Sequence, residues 1–195
     1  MDQFREKRAI RSRILANRAT LGAAERRTLG AALRDRALAL PEVARAGCVA
    51  CYVSVGSEPD TRELLTALYE RGVRVLLPVL LPDLDLDWGV YAGEGSLTPG
   101  RRGLLEPAGD RLGVSGVAAA DVVLVPAVAV DRRGVRLGRG GGSYDRALTR
   151  VPPGRLVAAL LYDGELVESV PALPHDQPVG AAITPSRVHR FDARG

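Results

Sequence analysis

The chain is nearly devoid of lysine: of 27 lysines and arginines in 195 residues, Lys7 is the only lysine. Aromatic residues make up 4%, with one tryptophan, few for the stacked-ring platforms that hold single-stranded nucleic acid. His175 and His189 stand far from the only two cysteines, Cys48 and Cys51, so there is no zinc constellation. No apolar run reaches the ~18 residues that cross a bilayer. The opening MDQFREKRAIRSR has no apolar signal core, so a cytoplasmic protein with no membrane role is expected. The positive excess is only +4, which suits small anionic ligands as well as nucleic acid and assigns most arginines to solvated surface. What is present is a hydrophobic content of 46% and a charged content of 26%, enough for a core. The length suits a single domain over 1–195.

Cys48 and Cys51 sit in GCVACYVSV, which reads as a buried strand. Residues three apart on a strand face opposite ways, roughly 10 Å apart, too far for a disulfide; both are expected as reduced core residues. The hydrophobic period predicts a helix over 2–18, with Phe4, Ile10, Ile14 and Leu15 apolar and the remainder basic, and a second over 23–40. A strand over 48–55 and a polar turn follow. Asp60 is expected to cap the next helix in a capping box with Glu63, and Val73–Leu77 returns as a strand. This is a βαβ crossover with parallel pairing. Asp85–Tyr91 reads as an edge strand and 93–116 as loop. Asp121–Pro126 is a strand covered on both faces; a helix begins at Ser143, and strands follow at Leu156–Leu161 and Ala181–Thr184. The fold expected is α/β: one three-layer α/β/α, Rossmann-like domain with a mainly parallel sheet.

The chemistry lies in Arg136-Leu-Gly-Arg-Gly-Gly-Gly-Ser-Tyr-Asp145, after an apolar strand and before a helix, where α/β sheets bind ligands. Glycines 138, 140, 141 and 142 let backbone N–H groups approach an anion, and the helix N-terminus adds partial positive charge. Arg136 and Arg139 offer forked donors to phosphate oxygens. A carboxylate at Asp145 suits a Mg²⁺ shared with phosphate. The segment lacks the Gly-Lys-Ser/Thr of a Walker A loop and the spacing of the dinucleotide fingerprint.

That decapeptide, preceded by Val-Pro-Ala-Val-Ala-Val-Asp131, closely resembles the signature of the 5-formyltetrahydrofolate cyclo-ligase family. Three more segments agree in order: Lys7-Arg-Ala-Ile-Arg11, Tyr52-Val-Ser-Val-Gly-Ser-Glu58-Pro-Asp-Thr61, and Leu173-Pro-His-Asp176 followed by Ile183-Thr184. The resemblance implies Mg·ATP-dependent conversion of 5-formyltetrahydrofolate to 5,10-methenyltetrahydrofolate, with ADP and phosphate as products. In outline the formyl oxygen attacks the γ-phosphate, N10 closes on the activated carbon, and phosphate leaves.

The same resemblance assigns ATP contacts to Lys7, Arg8, Ala9, Ile10 and Arg11, and to the loop Arg136, Leu137, Gly138, Arg139, Gly140, Gly141, Gly142, Ser143 and Tyr144. Lys7 and Arg11 share one helical face at i and i+4, and the only lysine falls here. Val53 and Glu58 match substrate contacts, Glu58 suiting the amino and ring N–H donors of a pterin edge. Asp145 and Asp176 match metal-associated carboxylates, and Arg139 and Tyr144 are the candidates to act on the reacting groups. Trp88 is read as pocket lining or core packing. Ser143 stands where an aromatic residue is usual, and Gly180 where an acid often stands. Two other readings stay open: an RNA-binding module on the same domain, and an ATP-dependent enzyme for another substrate. A monomer is expected, with a homodimer left open.

Overall fold

The computed structural model describes residues 3–191. Its helices are α1 (Gln3–Thr20), α2 (Ala23–Leu38), α3 (Pro41–Ala44), α4 (Arg62–Glu70) and α5 (Ser143–Leu148). The strands are β1 (Cys48–Ala50), β2 (Arg74–Leu80), β3 (Leu86–Val90), β4 (Leu97–Pro99), β5 (Leu105–Pro107) and β6 (Val122–Pro126). They continue with β7 (Ala129–Asp131), β8 (Arg136–Leu137), β9 (Leu156–Leu160), β10 (Leu166–Val167), β11 (Ala181–Ile183) and β12 (Val188–Arg190). A seven-stranded sheet runs β12-β11-β9-β6-β1-β2-β3, antiparallel only at its two edges. Parallel strands covered on both faces must be apolar at every position. Along β6, Val122 and Leu124 join one hydrophobic cluster with Leu33, Leu64 and Leu68 of α2 and α4. Val123 and Val125 join another with Ala147 and Leu148 of α5. The two clusters make the predicted three layers. Cys51 and Cys48 divide between them, both buried and free, and burial pushes the Cys51 thiol up to about 12.

Several elements differ from the sequence reading. The strand expected over 48–55 ends at Ala50, and α2 stops at Leu38, with Pro41 opening α3. Asp60 Oδ1 accepts the Arg62 N–H at the start of α4, at 3.0 Å, as a cap does. Thr61, the residue that bounds the helix, makes no side-chain cap bond. Its Oγ1 donates to the Tyr52 carbonyl and accepts the Ser54 N–H, at 2.7 and 3.0 Å, so the polar turn is tied across the end of β1. Glu63 pairs with Arg34 on α2 rather than reaching back to the cap. The stretch 93–116 holds the β4–β5 ribbon. A second sheet, β10-β7-β8, stands between β6 and the glycine-rich segment. Its strands have two or three residues, too short for a hydrophobic period to register. Trp88 is 1% exposed and packs in the core, so it does not line a pocket.

Many arginines are engaged at the surface with carboxylates, as in Arg62–Glu94, Arg155–Asp121 and Arg190–Glu42, which scatters positive charge instead of gathering it into a stripe. One carboxylate is wholly enclosed. Asp131 accepts N–H bonds from Arg133, Val135 and Val170 and the fork of Arg133. Burial alone would raise its carboxyl, but the Arg133 guanidinium and the N–H donors outweigh it and hold the group below its ordinary value. The N–H of Cys48, with that of Gly47, lowers Asp121 as well. A carboxyl lowered by folding stabilises above its unfolded pKa of about 3.9 and loses that contribution as pH falls through the folded value. Melting temperature is therefore expected to hold down to about pH 5 and fall below about pH 4. Asp131→Asn should melt lower near neutrality and lose less on acidification; identical acid profiles for the two proteins would remove Asp131 from this account.

Candidate active site

The sheet order reverses between β1 and β6: the chain leaves β1 toward β2 and β3, and β6 toward β9 and β11. At such a switch point the loops leaving the carboxyl ends part and open a crevice. A cavity of about 590 Å³ lies there, a size common for small-molecule sites. Its walls come from α1, the turn after β1, the end of β6, the glycine-rich segment and residues 173–176.

Helix α1 turns a basic stripe inward. Its buried residues are Lys7, Ile14 and Arg18, and Lys7, Arg11 and Arg18 line the cavity. The spacing 7, 11, 14, 18 is one helical face, so Lys7 and Arg11 share the inner face as expected, and Ile14 and Arg18 continue it. Arg8 and Ala9 are exposed, and Ile10 packs against the small second sheet; none of these three lines the cavity, because they project from other sides of the same turn. Lys7 Nζ meets Asp176 Oδ2 at 2.6 Å, and Arg11 Nε donates to the Gly138 carbonyl at 2.7 Å. The helix thus clamps two of the other walls.

The turn after β1 brings Tyr52, Val53, Val55 and Glu58 to the cavity. Glu58 accepts the Val55 N–H at 3.0 Å and the Arg139 guanidinium at 3.1 Å. The carboxylate expected at the substrate and the arginine expected at ATP therefore touch. The glycine-rich segment enters from β8 rather than directly from β6. Gly140 and Gly142 have φ of 102° and 69°, conformations open to glycine and strained for other residues. Leu137 is buried in the small cluster beneath and leaves Arg136 and 138–145 to face the cavity. Helix α5 has only six residues, so the positive field expected from a helix N-terminus comes mainly from side chains instead.

Arg136 is 5% exposed. It donates to Asp145 Oδ1 at 2.8 Å and to the Pro126 carbonyl at 3.3 Å, and its guanidinium lies 5.7 Å from the Tyr144 ring centroid. Loss of solvent, then Cys51 and Glu58, push the Tyr144 hydroxyl far above its ordinary value, so it is a neutral donor at pH 7 and not a base. Asp176 accepts the Leu173 N–H and Lys7; burial would raise it, but these partners hold it below the usual carboxylate range. The Gln177 N–H reaches Asp145 Oδ1 at 3.3 Å, so the closing segment also touches α5. No group of three histidines, cysteines or acids gathers among the described residues. A Mg²⁺ is commonly held by one or two carboxylates together with phosphate oxygens. Asp145 suits it, since Oδ2 carries no hydrogen bond among the described residues.

Sequence reasoning missed the apolar wall of Val55, Pro78, Leu80, Leu86, Leu104 and Leu105, assembled from three separate chain segments. It missed Arg18, for which the seven-residue step from Arg11 was the available signal, and Tyr52, whose ring stands in the cavity near Tyr144 although Ser143 brings none. Gly180 lies just before β11, accepting the Phe191 N–H and donating to Val157, and does not line the cavity.

Comparison with known proteins gives the family. The model of the 5-formyltetrahydrofolate cyclo-ligase family matches residues 3–185. A 5-formyltetrahydrofolate cyclo-ligase of Mycolicibacterium smegmatis is 43% identical over 188 residues, covering 94% of this chain and 95% of that protein. One from Escherichia coli is 34% identical over 182 residues, with 90% and 98% covered. The solved structure of Aquifex aeolicus 5,10-methenyltetrahydrofolate synthetase superposes with a TM-score of 0.83 at 30% identity, over 97% of this chain and 95% of that one. By sequence and by fold, the chain belongs to the 5-formyltetrahydrofolate cyclo-ligase family.

Proposed function

We propose that this protein uses ATP to close 5-formyltetrahydrofolate to 5,10-methenyltetrahydrofolate, releasing ADP and phosphate. The observation that carries the reading is the Arg139–Glu58 contact at 3.1 Å, which joins a glycine- and arginine-built anion site to a carboxylate above an apolar wall in one cavity. A phosphoryl group and a flat ring substrate bound there meet at the junction. The transfer needs positioning and charge neutralisation more than covalent help. Lys7, Arg11, Arg136 and Arg139 supply positive charge, and the N–H groups of 138–142 point donors at the phosphates. Glu58 takes the ring donors, and the neutral Tyr144 hydroxyl donates a hydrogen bond near the reacting oxygen. Asp145 would hold the Mg²⁺, which neutralises phosphate charge when bound; Asp176, engaged by Lys7, acts mainly by fixing that lysine.

The direct test follows the absorbance of the methenyl product on mixing protein, 5-formyltetrahydrofolate and Mg·ATP. Product that grows only with nucleotide and metal present is the expected result, and folded protein that makes none overturns the reading. Within it, Arg139→Ala should raise KM for ATP about tenfold, the worth of one charge-assisted contact. Its side chain is half exposed, so melting should shift by no more than about 2 °C. An unchanged KM would remove Arg139 from the nucleotide site.

A further inference from the structure

Six lysine and arginine side chains line the cavity, and all but one have partners in the protein. Lys7 meets Asp176, Arg11 the Gly138 carbonyl, Arg18 Glu165, Arg136 Asp145 and Arg139 Glu58. The remaining cation, Arg102, is exposed, and its side chain makes no hydrogen bond or ion pair among the described residues. Its backbone is unusual as well. Arg102 has φ of 54° and ψ of 28°, the left-handed region that a residue with a Cβ rarely enters. Such conformations persist where the surrounding structure holds them, and they cluster at ligand sites. Here the surroundings are the loop of the β4–β5 ribbon, residues 100–104. The Gly100 N–H donates to the Leu104 carbonyl at 2.7 Å, and the Leu104 N–H to the Arg101 carbonyl at 3.1 Å. Glu106 Oε1 accepts the Leu80 N–H at 3.0 Å and ties the ribbon to β2. Leu104 and Leu105 belong to the apolar wall with Leu80 and Leu86, so the loop sets Arg102 at the edge of that wall.

A cation at the rim of an apolar wall fits a ligand that is flat and apolar along its length and anionic at its end. In 5-formyltetrahydrofolate the reacting N5 and N10 lie between two such parts. On one side is the ring whose donors suit Glu58. On the other, an aminobenzoyl ring leads from N10 to a glutamate with two carboxylates. The apolar wall suits the benzoyl ring, and the forked donors of an arginine suit a carboxylate. Resting on the function proposed above, we propose that Arg102 binds a carboxylate of this tail and makes the enzyme selective for substrates that end in negative charge. Its backbone, fixed beforehand by the ribbon loop, has less freedom to lose on binding.

The test compares 5-formyltetrahydrofolate with its α,γ-diamide, in which both tail carboxylates are neutral, by following the methenyl product with the whole protein. The diamide should show a KM about fivefold higher, the upper range for an ion pair open to solvent. In Arg102→Gln the KM for the acid should rise to that of the diamide, with KM for ATP unchanged. Added salt should raise the KM for the acid in the wild type and leave it nearly constant in the variant. Arg101→Gln, one residue away but not lining the cavity, should keep the fivefold preference. Equal KM values for acid and diamide in the wild type overturn the proposal and leave the cyclo-ligase reading standing. A preference that survives in Arg102→Gln overturns it too, as does an equal loss in Arg101→Gln or a rise in KM for ATP instead of folate. A folded wild type that makes product from neither compound refutes the cyclo-ligase reading itself and the proposal with it.

Discussion

Arg136→Met is expected to lower kcat/KM for ATP by about 10²–10³, the scale seen when a preorganised donor to developing charge is removed. Several facts place so large an effect on one side chain. The guanidinium is 5% exposed, so its charge acts with little screening. It is anchored by Asp145 and the Pro126 carbonyl and lies against Tyr144, so it keeps its position while the phosphates change charge. The same residue holds the Asp145 carboxylate, so its loss disturbs the proposed metal ligand as well. Stability should change less, because the Asp145 side chain, 17% exposed, keeps access to water. Arg136→Lys should recover part of the activity, since charge is retained while the bidentate geometry is not. Activity of Arg136→Met within about threefold of wild type, in steady-state assays at saturating folate, would show that the phosphates bind elsewhere.

Gly134→Ala should destabilise the fold by about 2–5 kcal/mol, the sum of a left-handed conformation in a residue with a Cβ and of overpacking. Gly134 has φ of 80° in the turn between β7 and β8. Its carbonyl accepts the Val179 N–H at 2.9 Å, which docks the turn against the strand β11 segment. A Cβ there would stand 2.5 Å from the Val179 carbonyl oxygen and 3.3 Å from the Phe191 ring. The nearest obstructing atom, the Val179 carbonyl oxygen, is backbone and cannot swing aside. In a chain of this length the melting temperature should fall on the order of 10 °C. Gly154→Ala is the matched control: its φ is 83° with open space around it, so only the conformational cost of about 1–2 kcal/mol applies. Equal losses in the two variants would show that the close approach at Val179 costs nothing.

Much of the fold was legible because its signals are local. The apolar run of β6, the amphipathic α4 and the βαβ order each follow from side-chain period within a dozen residues. The glycine-rich decapeptide pointed to the cavity-lining loop for the same reason, since its glycines act within one loop. Glu63 shows where local reasoning failed: Asp60 does accept the Arg62 N–H, but Glu63, which fits the second half of a capping box, pairs instead with Arg34 of α2, a contact made only after folding. On helix α1 the shared face of Lys7 and Arg11 was legible, while Arg18 was not singled out, because a buried charge becomes acceptable only once a distant partner is in place: Asp176 and Glu165, 169 and 147 residues away, serve Lys7 and Arg18.

The sequence by itself determined the α/β class, the parallel core, the reduced cysteines and the glycine-rich loop proposed to bind phosphate, all of which depend on neighbours along the chain. Tertiary structure alone decided that Arg139 meets Glu58, that the β10-β7-β8 sheet carries the glycine-rich segment into place, and that Arg18 ends as a buried donor at the cavity. Those are contacts between residues far apart in sequence, and a buried charge is tolerated only where the completed fold supplies its partner.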